Sequence, residues 1–155
     1  MLVYYFVYVP LPVAETVRSL TDKPGDLTVW ARLAYEGGEE LRMRVQPEAS
    51  RLTKEVEVVV GKPRAQSKAV YVPISWRATG AESLFPWLDA DLIVEAVGDT
   101  MTQVTLRGSY EPPLGPVGRL LDRALLHHLA ESCVKNFMDR LQAALDPASP
   151  TPVAN

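Results

Sequence analysis

The sequence predicts an α+β protein: a curved antiparallel sheet of six to seven strands wrapped around a long C-terminal helix, with one or two short helices after the first strand. Several segments between residues 40 and 110 alternate apolar and polar side chains, as half-buried antiparallel strands do. An apolar strand that ends at a proline comes before them, and a stretch with helical spacing follows them. Because a long amphipathic helix must bury its apolar stripe, the concave face of the sheet is its expected partner.

The composition indicates one globular domain. The chain has 155 residues, of which 47% are apolar and 23% are charged, and its net charge is −3. A chain of this length suits a single core, so we expect one domain over residues 1–145. A proline-rich, polar and disordered tail is expected over residues 146–155. The negative charge and the scattered basic residues argue against binding to nucleic acid.

The apolar N-terminus does not have the features of a signal peptide. It lacks a basic region and is interrupted by Pro10 and Pro12. No segment has the length and apolarity of a membrane-spanning helix. The single cysteine, Cys133, excludes an intramolecular disulfide and a multi-cysteine metal site. We therefore expect a cytoplasmic protein with no metal and no other cofactor.

The first elements are predicted from residue type and spacing. Residues 2–9 are rich in aromatic and β-branched side chains, which favours a strand that ends at Pro10. A short amphipathic helix follows, with three apolar residues at helical spacing: Val13, Val17 and Leu20. Residues 27–36 fit either a second helix or a strand, and the spacing of their apolar residues favours the helix.

The later strands are predicted from alternation and the last helix from helical spacing. Five segments alternate apolar and polar residues: 41–46, 55–60, 69–79, 87–97 and 100–110. The helix is predicted from Pro116, since proline is tolerated in a first turn, to Leu145. Its two halves carry apolar stripes offset by well over a right angle. Residues 124–130 are apolar nearly all round, which indicates burial on every side.

The chain resembles the helix-grip superfamily of START, pollen-allergen-like and polyketide-cyclase-like domains, also called SRPBCC. The resemblance spans roughly residues 2–145 and rests on two segments, FVYVPLPVAETVRSLTD and GSYEPPLGPVGRLLDRALLHHLAESCVKNFMDRLQAAL. Small actinobacterial members contain segments similar to LFPWLDADL and YEPPLG. The resemblance implies a cavity between the sheet and the C-terminal helix. It implies no particular reaction, because the superfamily includes lipid carriers, hormone receptors, aromatases, cyclases and chaperone activators.

We expect this cavity to take a hydrophobic or aromatic small molecule, lipid-like or polyketide-like. Tryptophan and tyrosine suit such a site because they combine apolar area with one hydrogen-bonding tip. The expected lining residues come from the short helices, the sheet and the last helix: Trp30, Trp76, Leu92, Leu106, Tyr110, His128, Val134, Phe137 and Met138. One alternative is a cyclase, aromatase or dehydratase that uses a cavity tyrosine or histidine. Another is a homodimeric interaction module that pairs through Val117, Leu121 and Ala124.

The two histidines are adjacent on the predicted helix. His127 and His128 therefore point about 100° apart, so only one of them can face the cavity. A metal site would need further ligands, and Glu131 is the one acidic residue at a compatible helical spacing. A structural role is favoured for both histidines. No catalytic residue is assigned.

Two acidic residues lie on one face of a predicted strand. Asp89 and Asp91 could act as an acid–base pair, but the alternation places them opposite the apolar face. Arg77 and Arg107 fall on the matching faces of the neighbouring strands. We therefore expect an ionic cluster on the convex surface. The sequence contains no glycine-rich phosphate loop, no G-x-S-x-G and no H-E-x-x-H motif.

Overall fold

The computed structural model describes residues 1–23, 25–34, 56–78, 87–111 and 123–148. Its strands are β1 (Leu2–Val9), β2 (Val56–Val60), β3 (Arg64–Gln66), β4 (Ala69–Ala78), β5 (Trp87–Ala96) and β6 (Thr102–Glu111). Its helices are α1 (Val13–Asp22), α2 (residues 25–34) and α3 (Arg123–Leu145). Three predictions lie outside the described residues: the strand over 41–46, the helix beginning at Pro116, and most of the tail, residues 149–155.

The described strands form one antiparallel sheet. Their order is β1-β6-β5-β4-β2, and β3 also pairs with β4. The β5–β6 register runs from Trp87 opposite Glu111 to Ala96 opposite Thr102. The first strand of the chain pairs with the last one, β6. This pairing places the first and the last strand of the chain side by side at one edge of the described sheet. The helix α3 packs mainly on the strand at that edge, β1.

One core lies between the sheet and all three helices. It contains the inward residues of the strands together with residues of α1, α2 and α3. In α3 the fully buried side chains are those of Phe137, Met138 and Leu141. The α+β helix-grip arrangement, with two short helices after the first strand and a long C-terminal helix on the sheet, is therefore confirmed.

The ambiguous segment is helical. Leu27, Ala31 and Ala34 are buried and are spaced by four and three residues, so they lie on one face of a helix. Val29 is 42% exposed and lies off that face. A strand would bury every second residue instead. Packing against the common core therefore decides between the two structures that the sequence allows.

The corner between β1 and α1 is held by two threonines. The Thr102 hydroxyl at the beginning of β6 donates a hydrogen bond to the Leu11 carbonyl at 2.7 Å. The buried Thr16 hydroxyl donates to the Pro12 carbonyl at 3.0 Å. The first bond satisfies the Leu11 carbonyl, and the second adds to the bond that the Pro12 carbonyl accepts from the Thr16 backbone N–H at 3.0 Å, at the beginning of α1. They fix the direction in which α1 leaves the sheet.

The first turns of α3 differ from the prediction. Burial of residues 124–130 on every side is wrong, because Ala124, His127 and His128 are exposed. The helix packs mainly on β1, which ends the described sheet, so one of its sides has no strand beneath it. No helix among the described residues is both long enough and apolar enough to cross a membrane.

Candidate functional site

Four large side chains lie together on the inward face, near one end of β4, β5 and β6. Trp76 on β4 lies opposite Leu88 on β5, which lies opposite Tyr110 on β6. The Phe137 ring, from α3, packs edge-on against Trp76, with centroids 5.0 Å apart and planes at 64°. All four residues are buried. This aromatic cluster joins three strands to the helix above them.

The structure brings most of the predicted lining residues into this one core. Trp76, Tyr110 and Phe137 form the aromatic cluster, and Leu92 lies opposite Leu106 on the neighbouring strand. The buried core also contains Val134 and Met138, and half-buried Trp30 packs against it. Leu88 was missing from the predicted lining, although its alternation with Leu92 places both on the same face. The role of these residues as ligand contacts stays a prediction.

The indole N–H of Trp76 is a buried donor. The residue is 4% exposed. Within the part of the chain that the structure describes, its indole makes no hydrogen bond, and its ring contact is with Phe137. A buried tryptophan N–H ordinarily has an acceptor, because leaving it unpaired costs about 1–3 kcal/mol. This position in the core is therefore suited to a molecule that carries an acceptor.

A cleft of about 290 Å³ lies between part of β1 and the first half of α3. Buried Val3 and Val134 form its apolar part. The other residues around it are Tyr4, Tyr5, His128, Glu131, Ser132 and Lys135. The structure thus places exposed His128 in this cleft, whereas Trp76 and Tyr110 line the core. The sequence does not predict the cleft, since its existence depends on which strand α3 covers.

Two basic residues of α3 contact acids: Lys135, which lines the cleft, and His127, which does not. His127 Nε2 lies 3.0 Å from Glu131 Oε1, one helical turn away. Lys135 contacts Asp139, and the hydrogen bond between them raises the pKa of Lys135. The Tyr5 hydroxyl donates to Asp139 Oδ1 at 3.3 Å. These contacts indicate structural roles, and no group of three or more metal-ligating side chains occurs among the described residues.

The expected ionic cluster on the convex face has a different composition. Asp91 Oδ1 lies 3.3 Å from an Arg64 guanidinium nitrogen, and Arg107 is opposite Asp91 in the register. Arg77 instead lies over the Trp87 ring, 5.9 Å from its centroid. The Asp91–Arg64 pair is well exposed, so it contributes at most about 1 kcal/mol. The sequence does not predict the contact with Arg64, because the short strand β3 has no apolar alternation.

We expect the stability of the protein to fall at alkaline pH because the thiol of Cys133 is buried. Burial raises the pKa of this thiol from 9.0 to about 12. Above pH 9 the unfolded chain releases a proton that the folded chain retains, so the free energy of unfolding falls as the pH rises towards 12. The expected fall is about 1.4 kcal/mol per pH unit from this group.

Urea unfolding at several pH values would measure this contribution as the difference between the wild type and Cys133→Ala. Other groups titrate in the same range, and the difference between the two proteins removes them. The variant should lose stability less steeply with pH. Parallel curves for the two proteins would contradict a thiol that ionises only on unfolding.

No family model matches the sequence, and no curated protein is similar to it. A hypothetical protein of Helicobacter pylori is similar in structure, with 13% identity and a TM-score of 0.49, over 93% of this chain and 87% of that one. Ara h 8.0201 has 10% identity and a TM-score of 0.44, over 94% and 97%. The Zhui aromatase/cyclase of Streptomyces sp. R1128 has 14% identity and a TM-score of 0.40, over 94% and 93%.

These likenesses concern the course of the chain and carry no information on ligand or reaction. The fold follows from the order of the elements and from the pairing of β1 with β6. The likeness to small actinobacterial members stays a prediction. The helix-grip fold that the sequence predicts is confirmed by the order and pairing of the elements.

Proposed function

We propose that the protein binds a hydrophobic or aromatic small molecule between the sheet and α3, beside Trp76. The observation that supports the proposal is the buried indole N–H, which has no acceptor among the described residues. A ligand with one acceptor near this nitrogen would complete its hydrogen bonding. The rest of the ligand would contact Phe137, Tyr110 and Leu88. Lipid-like and polyketide-like molecules combine a large apolar surface with a few acceptors.

Native mass spectrometry of the protein as purified tests the proposal directly. A bound molecule would appear as a mass above that of the chain, and this excess would disappear when the protein is denatured. The released molecule can then be identified by its own mass. A protein that carries no excess mass and also fails to bind the hydrophobic probe described next would contradict the proposal.

Substituting Trp76→Phe should weaken binding of the probe 1-anilinonaphthalene-8-sulfonate by about three- to tenfold. The substitution keeps an aromatic ring against Phe137 and removes only the N–H, whose hydrogen bond accounts for a change of this size. Fluorescence titration measures the dissociation constant. The matched control is Trp87→Phe, since Trp87 lies beneath Arg77 and outside the aromatic cluster. Equal affinities for the two variants would contradict the role of Trp76.

The alternatives remain predictions. A cyclase, aromatase or dehydratase needs a tyrosine and a histidine within reach of one ligand. His128 shares the β1–α3 cleft with Tyr5, but the Tyr5 hydroxyl already donates to Asp139. For the predicted homodimer, Val117 and Leu121 lie outside the described residues and Ala124 is exposed. The single domain over residues 1–145 and the cytoplasmic location are likewise predictions from the sequence.

A further inference from the structure

Strand β1 presents a row of apolar side chains to solvent. The row consists of Leu2, Tyr4, Phe6 and Tyr8, which are 71%, 59%, 44% and 44% exposed. Its rings pack edge to face along the strand, with centroids 6.3 Å and then 5.7 Å apart. None of these side chains is charged, and a contiguous exposed apolar patch usually marks an interaction surface.

The backbone of the same residues lies at an edge of the sheet that the described strands form. Among the described strands, β1 pairs with β6 alone. Tyr110 N–H donates to the Met1 carbonyl at 2.8 Å, so the odd-numbered residues of β1 are the ones bonded to β6. The even-numbered residues therefore direct N–H and C=O away from β6. In agreement, the Tyr8 carbonyl accepts a hydrogen bond from Gln142 at 2.9 Å, which leaves residues 2–6 as the open part.

There is room beside this edge on the side of α3. The cleft of about 290 Å³ runs between Tyr4 on β1 and residues of α3 such as Ser132 and Lys135. Its volume is about ten times that of a water molecule in the liquid. This space lets an added strand approach the edge without displacing α3, and the outward side chains of that strand would extend the apolar row.

We propose that this edge pairs with the same edge of a second copy of the chain, antiparallel and about a twofold axis at Tyr4. Tyr4 would then lie opposite Tyr4 of the second copy, and Leu2 opposite Phe6. This register matches the outward-facing backbone groups of both copies. It also leaves out Tyr8, whose carbonyl is occupied by Gln142.

A second copy fits this edge better than an unrelated segment for two reasons. The outward row of β1 is uncharged and mostly aromatic, so a second copy supplies the matching apolar row on the same face. Antiparallel pairing of identical strands is symmetric, so every hydrogen bond is made twice and the two open edges close each other.

The expected dimer is weak. Large side chains offer about 150–250 Å² each, so the exposed parts of Leu2, Tyr4 and Phe6 amount to roughly 300 Å² per copy. Stable interfaces bury about 800 Å² per partner. The dimer should therefore dissociate on dilution within the micromolar range. It lies outside the ligand site beside Trp76 and does not depend on it.

Sedimentation velocity between low micromolar and submillimolar protein tests the dimer. The wild type should shift from one chain to two as its concentration rises. Tyr4→Pro should weaken the dimer by about tenfold or more, since it removes two symmetric hydrogen bonds. The proline spares the bonds to β6, because the Tyr4 N–H faces the edge. Thermal unfolding of the dilute variant checks that it folds.

Two cysteine variants test the dimer by cross-linking, and this test does not depend on whether the proline variant folds. Tyr4→Cys should form an intermolecular disulfide with glutathione disulfide as oxidant, because paired residues at the axis lie about 5.5 Å apart in Cα. Tyr8→Cys, in the same row, should not, and the native Cys133 is buried. A wild type that stays monomeric throughout, a dimer unaffected by Tyr4→Pro, or equal cross-linking of both cysteine variants would overturn the proposal.

Discussion

Replacing Phe137 with alanine is expected to lower the free energy of unfolding by about 3–5 kcal/mol. Phe137 is fully buried in α3, and its ring packs edge-on against Trp76 at 5.0 Å. Truncation removes this contact and leaves a void beneath the helix. The sheet on the other side of the void is held by its own hydrogen-bonded register, so it cannot close the space. Urea unfolding followed by circular dichroism measures the loss.

Arg140→Ala is the matched control for Phe137→Ala. Arg140 is exposed on the same helix, so its truncation should change stability by no more than about 0.5 kcal/mol. A loss below about 1 kcal/mol for Phe137→Ala would contradict tight packing at this point. Such a result would mean that the Phe137 ring does little to hold α3 against the sheet at this point.

The sequence predicts the fold well where neighbouring residues settle the structure. Prolines and aromatic residues define β1, and alternation defines β4, β5 and β6, because each strand has one buried face. The strand β3 could not be predicted in this way. Its three residues are exposed, and the strand exists through pairing with β4 across a turn in which Ser67 has a φ of 56°. Such pairing leaves no apolar period in the sequence.

The same distinction applies to the candidate site. The side chains of Trp76, Tyr110 and Phe137 face the core because the period of a strand or a helix fixes their direction. The surroundings of His128 depend instead on where α3 lies relative to β1, which no local pattern encodes. The ionic partner of Asp91 was missed for a related reason, since Arg64 belongs to the unpredicted β3.

Gly108→Ala is expected to destabilise the protein by about 3 kcal/mol or more, since it would force two backbones apart. Gly108 lies opposite Ala90 on the inward face, so two small residues meet between β5 and β6. A Cβ at Gly108 would lie 2.2 Å from the Asp89 carbonyl oxygen and 2.5 Å from the Ala90 Cα. These are backbone atoms, which cannot turn aside as the end of a side chain can. Glycine at such a point lets a sheet bend around what it covers.

Gly25→Ala makes the control for Gly108→Ala because it adds the same methyl group where no atom lies within 4 Å. Gly25 is in the helical segment α2, so alanine should raise the free energy of unfolding by about 0.5 kcal/mol. Chemical denaturation of both variants should therefore give changes of opposite sign. A Gly108→Ala protein as stable as the wild type would show that β5 and β6 can separate at little cost.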